Sequence, residues 1–279
     1  MPINATVNGK PSSQISIHDR GLLYGDGVFR TLRVSAGQII CWQRHYQKLK
    51  FDCAAIGIIC PDFTLLTQEL QPLLQQHPNS IAKIIITRGL QAERGYRPLV
   101  ATFPTRIISI SLPPQFPDKY EVEGVKVRVC KTRLAYQTRL AGLKHLNKLE
   151  NVIAAGEWDD PHIAEGLMLD TFENVIECTR SNIFAIRAGL LYTPDLSKCG
   201  VAGIQRDRVI EWAKKNNIPH SIKTFNLSEL FIADEVFLVN SVIGLWPVRE
   251  LIDQSEQTVI WRNFPIGKQV QEWLNCANT

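Results

Sequence analysis

Three prolines within residues 113–117 most limit what this chain can fold into. Proline lacks a backbone N–H and fixes φ, so such a cluster cannot lie inside a helix or a paired strand. The 279 residues therefore divide at this point, as expected for a length that suits two modest domains. We predict an N-terminal α/β lobe, a linker and a C-terminal lobe at residues 1–112, 113–122 and 123–279.

The net charge and the cysteine spacing argue against several classes of protein. The net charge is only +4 and both signs are mixed along the chain, so no nucleic-acid or membrane partner is indicated. The seven cysteines are scattered and contain no CxxC pair, which is typical of reduced thiols rather than of disulfides or a zinc site. No stretch approaches the ~18 apolar residues of a membrane span. We therefore expect a soluble cytoplasmic protein without a bound metal.

The first lobe is expected to combine strands with helices. Apolar runs bounded by turn residues predict strands up to residue 7, around 15–17, and at 28–34, 39–42, 81–87 and 107–112. Residues 35–38 are typical of a hairpin turn. Helical spacing predicts helices at residues 43–59 and from after Asp62 to about His77. Residues 18–27 contain three glycines, which predicts a loop.

The second lobe has a similar mixture. Strands are predicted at residues 125–130, 164–170, 182–187, 218–224 and 236–240. A short helix capped by Asn226 and a final helix at residues 265–275 follow. Residues 194–203 form a loop with two glycines that opens directly into a helix predicted at 204–216. Backbone N–H groups at such a junction can bind a phosphate, although many helices begin in this way.

Residues 141–151 place a lysine at the start of an apolar pattern. The apolar side chains recur at helical spacing: Leu143, Leu146, Leu149, Val152 and Ile153. The pattern predicts a helix to about Trp158, with this face buried and Lys144 at its entrance. An isolated lysine is usually a solvated cation. The alternative is a partly desolvated amine that forms a Schiff base with an aldehyde cofactor.

Arg44 lies in the first turn of the helix predicted at residues 43–59. Cations are unfavourable at a helix N-terminus because they oppose the helix dipole. Arg44 is therefore either exposed to solvent or paired with an anion.

These residues together resemble the fold-type IV pyridoxal-phosphate enzymes, the group that contains branched-chain aminotransferases, D-amino-acid aminotransferases and aminodeoxychorismate lyases. The matching positions occur in the same order along nearly the whole chain: 24–29, Arg44-His45, Lys144, Glu177, 181–184, Gly203-Ile204 and Asn240-Ser241. The resemblance implies a two-lobed α+β fold like that of D-amino-acid aminotransferases. It also implies a smaller N-terminal α/β lobe, a larger C-terminal lobe that anchors pyridoxal 5'-phosphate, and a homodimer.

The resemblance also assigns roles to individual residues. The lysine matching Lys144 forms the internal aldimine and then moves the proton at the reacting carbon. The acid matching Glu177 pairs with the pyridine nitrogen, which keeps the ring able to accept electrons. The remaining positions hold the phosphate: Arg44, Ile204, Gln205, Asn240 and Ser241. Aminotransferase relatives often have threonine in place of Gln205, so only a backbone contact is expected there.

Within the family, two segments resemble the lyases more closely. They are residues 94–96 and residues 140–150. Branched-chain aminotransferases usually carry a glycine-rich segment with a tyrosine after the lysine, and residues 145–147 depart from it. Thr31 matches a threonine that is thought to assist proton transfer to the leaving group, although it is also an ordinary strand residue.

The lyase resemblance implies the conversion of 4-amino-4-deoxychorismate to 4-aminobenzoate and pyruvate without an amino acceptor. The substrate is a small dicarboxylate, and the candidates to bind it are Arg30, Arg94, Tyr96 and Arg97. Each arginine is equally well explained as a solvated cation. The alternative function is a class IV aminotransferase that acts on D-amino or branched-chain amino acids and requires a keto acid.

Overall fold

The computed structural model describes residues 2–91, 93–98 and 103–276 of the chain. The chain forms two compact units, one of Met1–Pro114 with Leu143–Asn147 and one of Gln115–Gly142 with Lys148–Asn278. The expected C-terminal lobe is therefore interrupted, because Leu143–Asn147 group with the first unit. Residues 1, 92, 99–102 and 277–279 belong to the predicted lobes and lie outside the described residues.

The first unit is an antiparallel sheet packed against two helices. Its elements are β1 (Pro2–Val7), β2 (Lys10–Pro11), α1 (Arg20–Tyr24), β3 (Gly27–Ser35), β4 (Gln38–Ile39), α2 (Trp42–Ala55), α3 (Phe63–Gln76), β5 (Ser80–Thr87) and β6 (Thr105–Ser111). The strand order is β2-β1-β6-β5-β3-β4, and every pair is antiparallel. Alternate side chains of β3, such as Val28 and Leu32, enter a core that also holds Leu49 of α2 and Leu66 of α3. This period of two decides which side chains of β3 are buried.

Most predicted elements of the first lobe are confirmed within a few residues. The hairpin turn between β3 and β4 is confirmed, with Ala36 and Gly37 at φ 49° and 76°, although β4 ends at Ile39 rather than at residue 42. The strand predicted around residues 15–17 is wrong, since Ile15 and Ile17 are exposed and lie outside every described strand. The glycine-rich loop contains the short helix α1, because the Asp19 side chain caps it by accepting from the N–H of Gly21.

The second unit is a larger, mixed sheet with helices. Its elements are α4 (Lys119–Val122), β7 (Val125–Leu134), α5 (Leu149–Ala155), β8 (Ile163–Asp170), β9 (Val175–Cys178), β10 (Asn182–Arg187), β11 (Leu190–Pro194), α6 (Ile204–Lys215), β12 (His220–Lys223), α7 (Leu227–Phe231), β13 (Glu235–Asn240), β14 (Gly244–Ile252), β15 (Thr258–Ile260) and α8 (Pro265–Cys276). The main order is β12-β11-β10-β13-β14-β7-β8-β9. Among the described helices, none has the length and apolar character that crossing a bilayer needs.

The helix predicted from residue 143 to about residue 158 is wrong in its first third. Helix α5 begins only at Leu149, and the side chains of Leu149, Val152 and Ile153 are 69%, 63% and 54% exposed. Leu143 is buried in an extended segment instead. The helical spacing of the leucines misleads here because the first part of the stretch pairs with a strand, for which a period of two applies.

Candidate active site

The backbone of Lys144 is fixed by the first residues of β3. The N–H of Phe29 donates to the carbonyl of Lys144 at 2.9 Å, and the N–H of Leu146 donates to the carbonyl of Gly27 at 2.9 Å. Val28 and His145 form an antiparallel bridge between these bonds. The segment Leu143–Asn147 therefore lies beside β3 as a short extra strand, which presents Lys144 on an extended backbone rather than on a helix.

The amine of Lys144 lies over an aromatic ring. Its Nζ is 4.5 Å from the centroid of Phe29, and the residue is half-buried. An ammonium group at this distance from a ring is attracted by the negative face of the ring. The sequence prediction of a partly desolvated amine agrees with this placement, since part of the surface of the lysine faces apolar atoms rather than water.

Asp52 is a site residue that sequence reasoning missed. Its Oδ2 accepts a hydrogen bond from the N–H of Lys144 at 3.2 Å and pairs with the guanidinium of Arg30. The side chains of Asp52 and Arg30 are 1% and 3% exposed. This burial argues against Arg30 as a receiver of a substrate carboxylate. A signal was available, because the alternation of β3 places Arg30 on the same face as Val28 and Leu32, and a buried arginine needs an acidic partner.

Arg44 and Thr31 belong to the same unit. Arg44 is half-buried in the first turn of α2, as predicted. Thr31 lies in β3 and pairs with Lys83 of β5. Its side chain is on the opposite face of the strand from Arg30 and is also half-buried. Their roles toward phosphate and leaving group stay predictions.

The segment that carries Arg94 and Arg97 is held by its backbone. Arg20 is buried and donates to the carbonyls of Gly95 and Tyr96 at 3.1 and 2.8 Å. The ring of Tyr96 meets that of Tyr24 edge-on at 5.4 Å. The side chains of Arg94 and Arg97 are exposed, so they stand in solvent on a backbone with defined anchors.

In the second unit, Glu177 of β9 is 4% exposed. Its Oε2 accepts a hydrogen bond from the N–H of Val201 at 2.9 Å. Gly200 precedes Val201 at φ 82°, and a Cβ there would lie 2.8 Å from Ile176, so glycine is required for this approach. The prediction that Glu177 is more than a surface glutamate at a strand end agrees with this burial.

Helix α6 begins without a side-chain cap. Its N-cap is Gly203, which has no side chain to bond the N–H groups of the first turn. Ile204 and Gln205 are buried there, and the side-chain oxygen of Gln205 accepts from Arg208 at 3.0 Å. An uncapped N-terminus offers N–H groups and a positive dipole end to an anion. The backbone phosphate contact expected for Gln205 stays a prediction.

Arg206 was not predicted from the sequence. It lies in the first turn of α6, is 6% exposed and donates to the carbonyl of Pro194 at 2.9 Å. Burial lowers the pKa of the Arg206 guanidinium from its ordinary value. A cation at this position would add to the anion preference of the helix N-terminus.

Asn240 and Ser241 follow β13. The Oδ1 of Asn240 accepts from the N–H groups of Val242 and Ile243 at 2.8 and 2.9 Å, and its Nδ2 donates to the carbonyl of Arg180 at 3.1 Å. The Asn240 amide thus shapes the turn in which Ser241 lies. This geometry favours Ser241 over Asn240 as the residue with a hydrogen bond to spare for a phosphate.

The chain matches a known family over most of its length. Residues 27–251 match the family described as Amino-transferase class IV. The chain belongs to the class IV aminotransferases. This membership confirms the predicted resemblance and the predicted fold.

Relatives within the class IV family are similar over nearly their full lengths. The aminodeoxychorismate lyase of Vibrio harveyi is 35% identical over 98% of this chain and 99% of its own. A putative branched-chain-amino-acid aminotransferase of Methanocaldococcus jannaschii is 30% identical over 88% of this chain and 86% of its own. The crystal structure of 4-amino-4-deoxychorismate lyase from Pseudomonas aeruginosa is 42% identical and superposes with a TM-score of 0.92, covering 98% of each chain.

The residues present fit the cofactor of class IV aminotransferases. Pyridoxal phosphate needs an amine for its aldehyde, an acid for its ring nitrogen and donors for its phosphate. Lys144 supplies a half-buried amine, Glu177 a buried carboxylate, and the uncapped start of α6 a set of backbone N–H groups. Among the described residues, no cluster of metal-binding side chains occurs.

Proposed function

We propose that this protein is an aminodeoxychorismate lyase that uses pyridoxal phosphate to convert 4-amino-4-deoxychorismate into 4-aminobenzoate and pyruvate. The observation that carries the proposal is the placement of Lys144, whose backbone is bonded to β3 and whose amine is half-buried over Phe29. Identities of 35% and 42% with lyases exceed the 30% identity with an aminotransferase. The lyase is therefore favoured over a transaminating relative.

Lys144 holds the cofactor and then moves a proton. When bound, pyridoxal phosphate supplies an electron sink that stabilises negative charge at the substrate carbon next to nitrogen. The Nζ of Lys144 would hold the cofactor aldehyde, and with substrate bound it would accept the proton from C4 of the substrate. Glu177 keeps the cofactor ring nitrogen protonated by placing a negative charge beside it.

The phosphate is bound at the start of α6. The N–H groups of Ile204 and Gln205 donate to it, and Arg44 and the hydroxyl of Ser241 add a charge and a hydrogen bond. These contacts orient the reactive carbon without taking part in proton transfer. Asn240 contributes by shaping the turn that carries Ser241.

Residues of the first unit act on the leaving group and bind the substrate carboxylates. Thr31 assists the transfer of a proton to the oxygen of the departing enolpyruvyl group, which leaves as pyruvate, and the proton that Lys144 takes from C4 restores the balance. Arg94 and Arg97 bind the two carboxylates, with Tyr96 fixed beside them by its contact with Tyr24. Loss of pyruvate makes the ring aromatic, so the products are strongly favoured. The amino group leaves as part of 4-aminobenzoate, so no keto acid is consumed as an amino acceptor.

We further propose a homodimer in the cytoplasm. The family resemblance supports the dimer, and the exposed apolar side chains of α5 provide a surface that a second copy could cover. The cysteines whose side chains the structure describes are free thiols, which suits a reducing compartment. Sedimentation equilibrium of the purified protein tests the dimer, and a monomer at micromolar concentration would contradict it.

The function is tested by turnover without an acceptor. Purified protein is mixed with pyridoxal phosphate and enzymatically made aminodeoxychorismate, and 4-aminobenzoate and pyruvate are followed together with no keto acid present. We expect equal release of both over many turnovers. Lys144→Ala should abolish turnover, while Lys83→Ala is the matched control, because Lys83 also lies over Phe29, at 5.0 Å. Turnover only with a D- or branched-chain amino acid plus a keto acid would instead establish an aminotransferase.

A further inference from the structure

A buried ion pair lies directly beneath the backbone of Lys144. Arg30 of β3 and Asp52 of α2 have side chains that are 3% and 1% exposed. Arg30 shares its face of β3 with Val28 and Leu32, which are fully buried in the apolar core. Arg30 thus occupies a strand position whose pattern favours an apolar residue, and Asp52 of α2 is buried beside it.

Stability alone does not account for this pair. Burying two charges removes them from water, and their attraction often does no more than offset that loss, so apolar residues of similar size commonly stabilise a core as well or better. Asp52 does one thing that an apolar residue cannot do. Its Oδ2 accepts the hydrogen bond from the N–H of Lys144 at 3.2 Å.

The two peptide groups that flank the Cα of Lys144 are therefore held from different elements. The N–H is bonded to Asp52 of α2, and the carbonyl accepts from the N–H of Phe29 of β3 at 2.9 Å. Arg30 follows Phe29 in the same strand and supplies the counterion of Asp52. These two hydrogen bonds, one on each side of the Lys144 Cα, restrict the backbone torsions and so fix the direction of the Cα–Cβ bond.

We infer that Asp52 is a positioning residue for Lys144 and that Arg30 is the counterion that keeps Asp52 in place. The catalytic meaning of this inference rests on the proposed function, because it assumes that the Lys144 amine is the reacting group. Catalytic groups act efficiently only in a narrow geometry, and a misplacement of about 1 Å can lower a rate about a hundredfold. Asp52 acts through Lys144 and needs no contact with the substrate.

The test compares variants that distinguish two features of Asp52: the oxygen that accepts the Lys144 N–H and the charge that pairs with Arg30. Asp52→Asn keeps a side-chain oxygen at the same position but removes the charge. Arg30→Met combined with Asp52→Leu removes both charges together, so that no buried arginine is left without a partner. The matched control is Glu69→Leu with Arg106→Met, because this pair joins α3 to β6 of the same unit at 2.7 Å and does not touch Lys144.

The first measurement needs neither cofactor nor substrate. Hydrogen exchange of the Lys144 amide is followed by mass spectrometry on overlapping peptides of each variant. We expect exchange to be about tenfold faster in the Arg30→Met/Asp52→Leu protein, since the amide loses its acceptor, and unchanged in the control pair. Exchange at the wild-type rate in the folded double variant would overturn the inference, whatever the protein catalyses.

The second measurement separates positioning from a merely structural role. We expect the double variant to unfold at a temperature near that of the wild type but to turn over about a hundredfold more slowly with little change in KM. Asp52→Asn should recover most of kcat, because an oxygen again accepts the Lys144 N–H. A double variant with lower stability but wild-type kcat would assign the pair a structural role only, and wild-type kcat at either stability would refute the inference.

Trapping of the cofactor distinguishes the two proposals. Borohydride reduction followed by peptide mass analysis reports whether pyridoxal phosphate is attached to Lys144 in the wild type. If it is not, the proposed function fails, while the amide exchange still decides whether Asp52 holds the backbone. If it is attached equally fast in the wild type and the double variant, the proposed function stands and the positioning role is lost.

Discussion

The side-chain oxygen Oδ1 of Asn182 accepts a hydrogen bond from the backbone N–H of Gly203 at 3.1 Å. The same amide donates through Nδ2 to the carbonyl of Val201 at 2.8 Å. β10 thereby fixes the loop that leads into α6. A Cβ added at Gly203 would overlap Asn182 Oδ1, so glycine is required at the N-cap of this helix.

Gly203→Ala should weaken cofactor binding. The added methyl group must displace either Asn182 or the first turn of α6, and the N–H groups that bind the phosphate would move with it. We expect the Kd for pyridoxal phosphate, measured by absorbance titration, to rise at least about tenfold. Gly267→Ala in α8 is the control, because the nearest atoms to its Cβ lie at 3.6 Å. Wild-type affinity in Gly203→Ala would exclude the start of α6 as the phosphate site.

Glu177→Gln should lower turnover while leaving the cofactor bound. Glutamine can still accept the N–H of Val201, so the local fold is kept, but the negative charge beside the ring nitrogen is lost. We expect kcat to fall about a hundredfold, as for other charges that act on the transition state. Glu235→Gln, a buried acid that accepts from Ile266 and Gly267, is the control and should keep full activity. Equal kcat values in the two variants would remove Glu177 from the active site.

Asp170→Asn should destabilise the protein at neutral pH. Burial raises the pKa of Asp170, but hydrogen bonds donated by Tyr136, Asn174 and Phe172 outweigh burial and hold this pKa below its ordinary value of 3.8. A lowered pKa means that the folded state prefers the carboxylate, so the stabilisation is present above about pH 3.8 and is lost as the pH falls through the folded-state pKa. We expect the variant to lose about 2 kcal/mol of unfolding free energy at pH 7.

Urea denaturation at several pH values measures this effect. The difference between the wild type and Asp170→Asn should shrink once the pH falls below about 3.8. A difference that stays constant down to pH 3 would show that the charge of Asp170 is not what stabilises the turn between β8 and β9.

Arg94→Ala and Arg97→Ala should each raise the KM for the substrate. Both side chains are exposed, so a carboxylate bound by either would form a solvent-screened pair of about 1 kcal/mol, equivalent to a KM increase of about fivefold. kcat should change little, because these contacts are the same in the ground and transition states. Arg33→Ala, an exposed arginine of β3, is the control. Unchanged KM in both loop variants would place the carboxylate contacts elsewhere.

Most elements followed from local patterns, and the failures have identifiable causes. β14 was not predicted although it lies between β13 and β7, because Pro247 within it speaks against a strand. Pro247 is tolerated as the partner of Phe237 in β13. The helix expected from residue 143 failed because pairing of the Lys144 segment with β3 overrode the helical spacing of its leucines.

The sequence by itself determined the family, and its resemblance to that family predicted which residues carry chemistry. Lys144, Glu177, Arg44 and Gly203 were named because their types and their order along the chain match the family. Only the tertiary structure decided that Lys144 stands on an extended segment and that Asp52, 92 positions earlier, accepts its N–H. Pairing between distant segments depends on which edge of β3 is left open and on which buried charge needs a partner. Neither the open edge nor the buried charge can be recognised from the hydrophobic period of residues 143–158 alone.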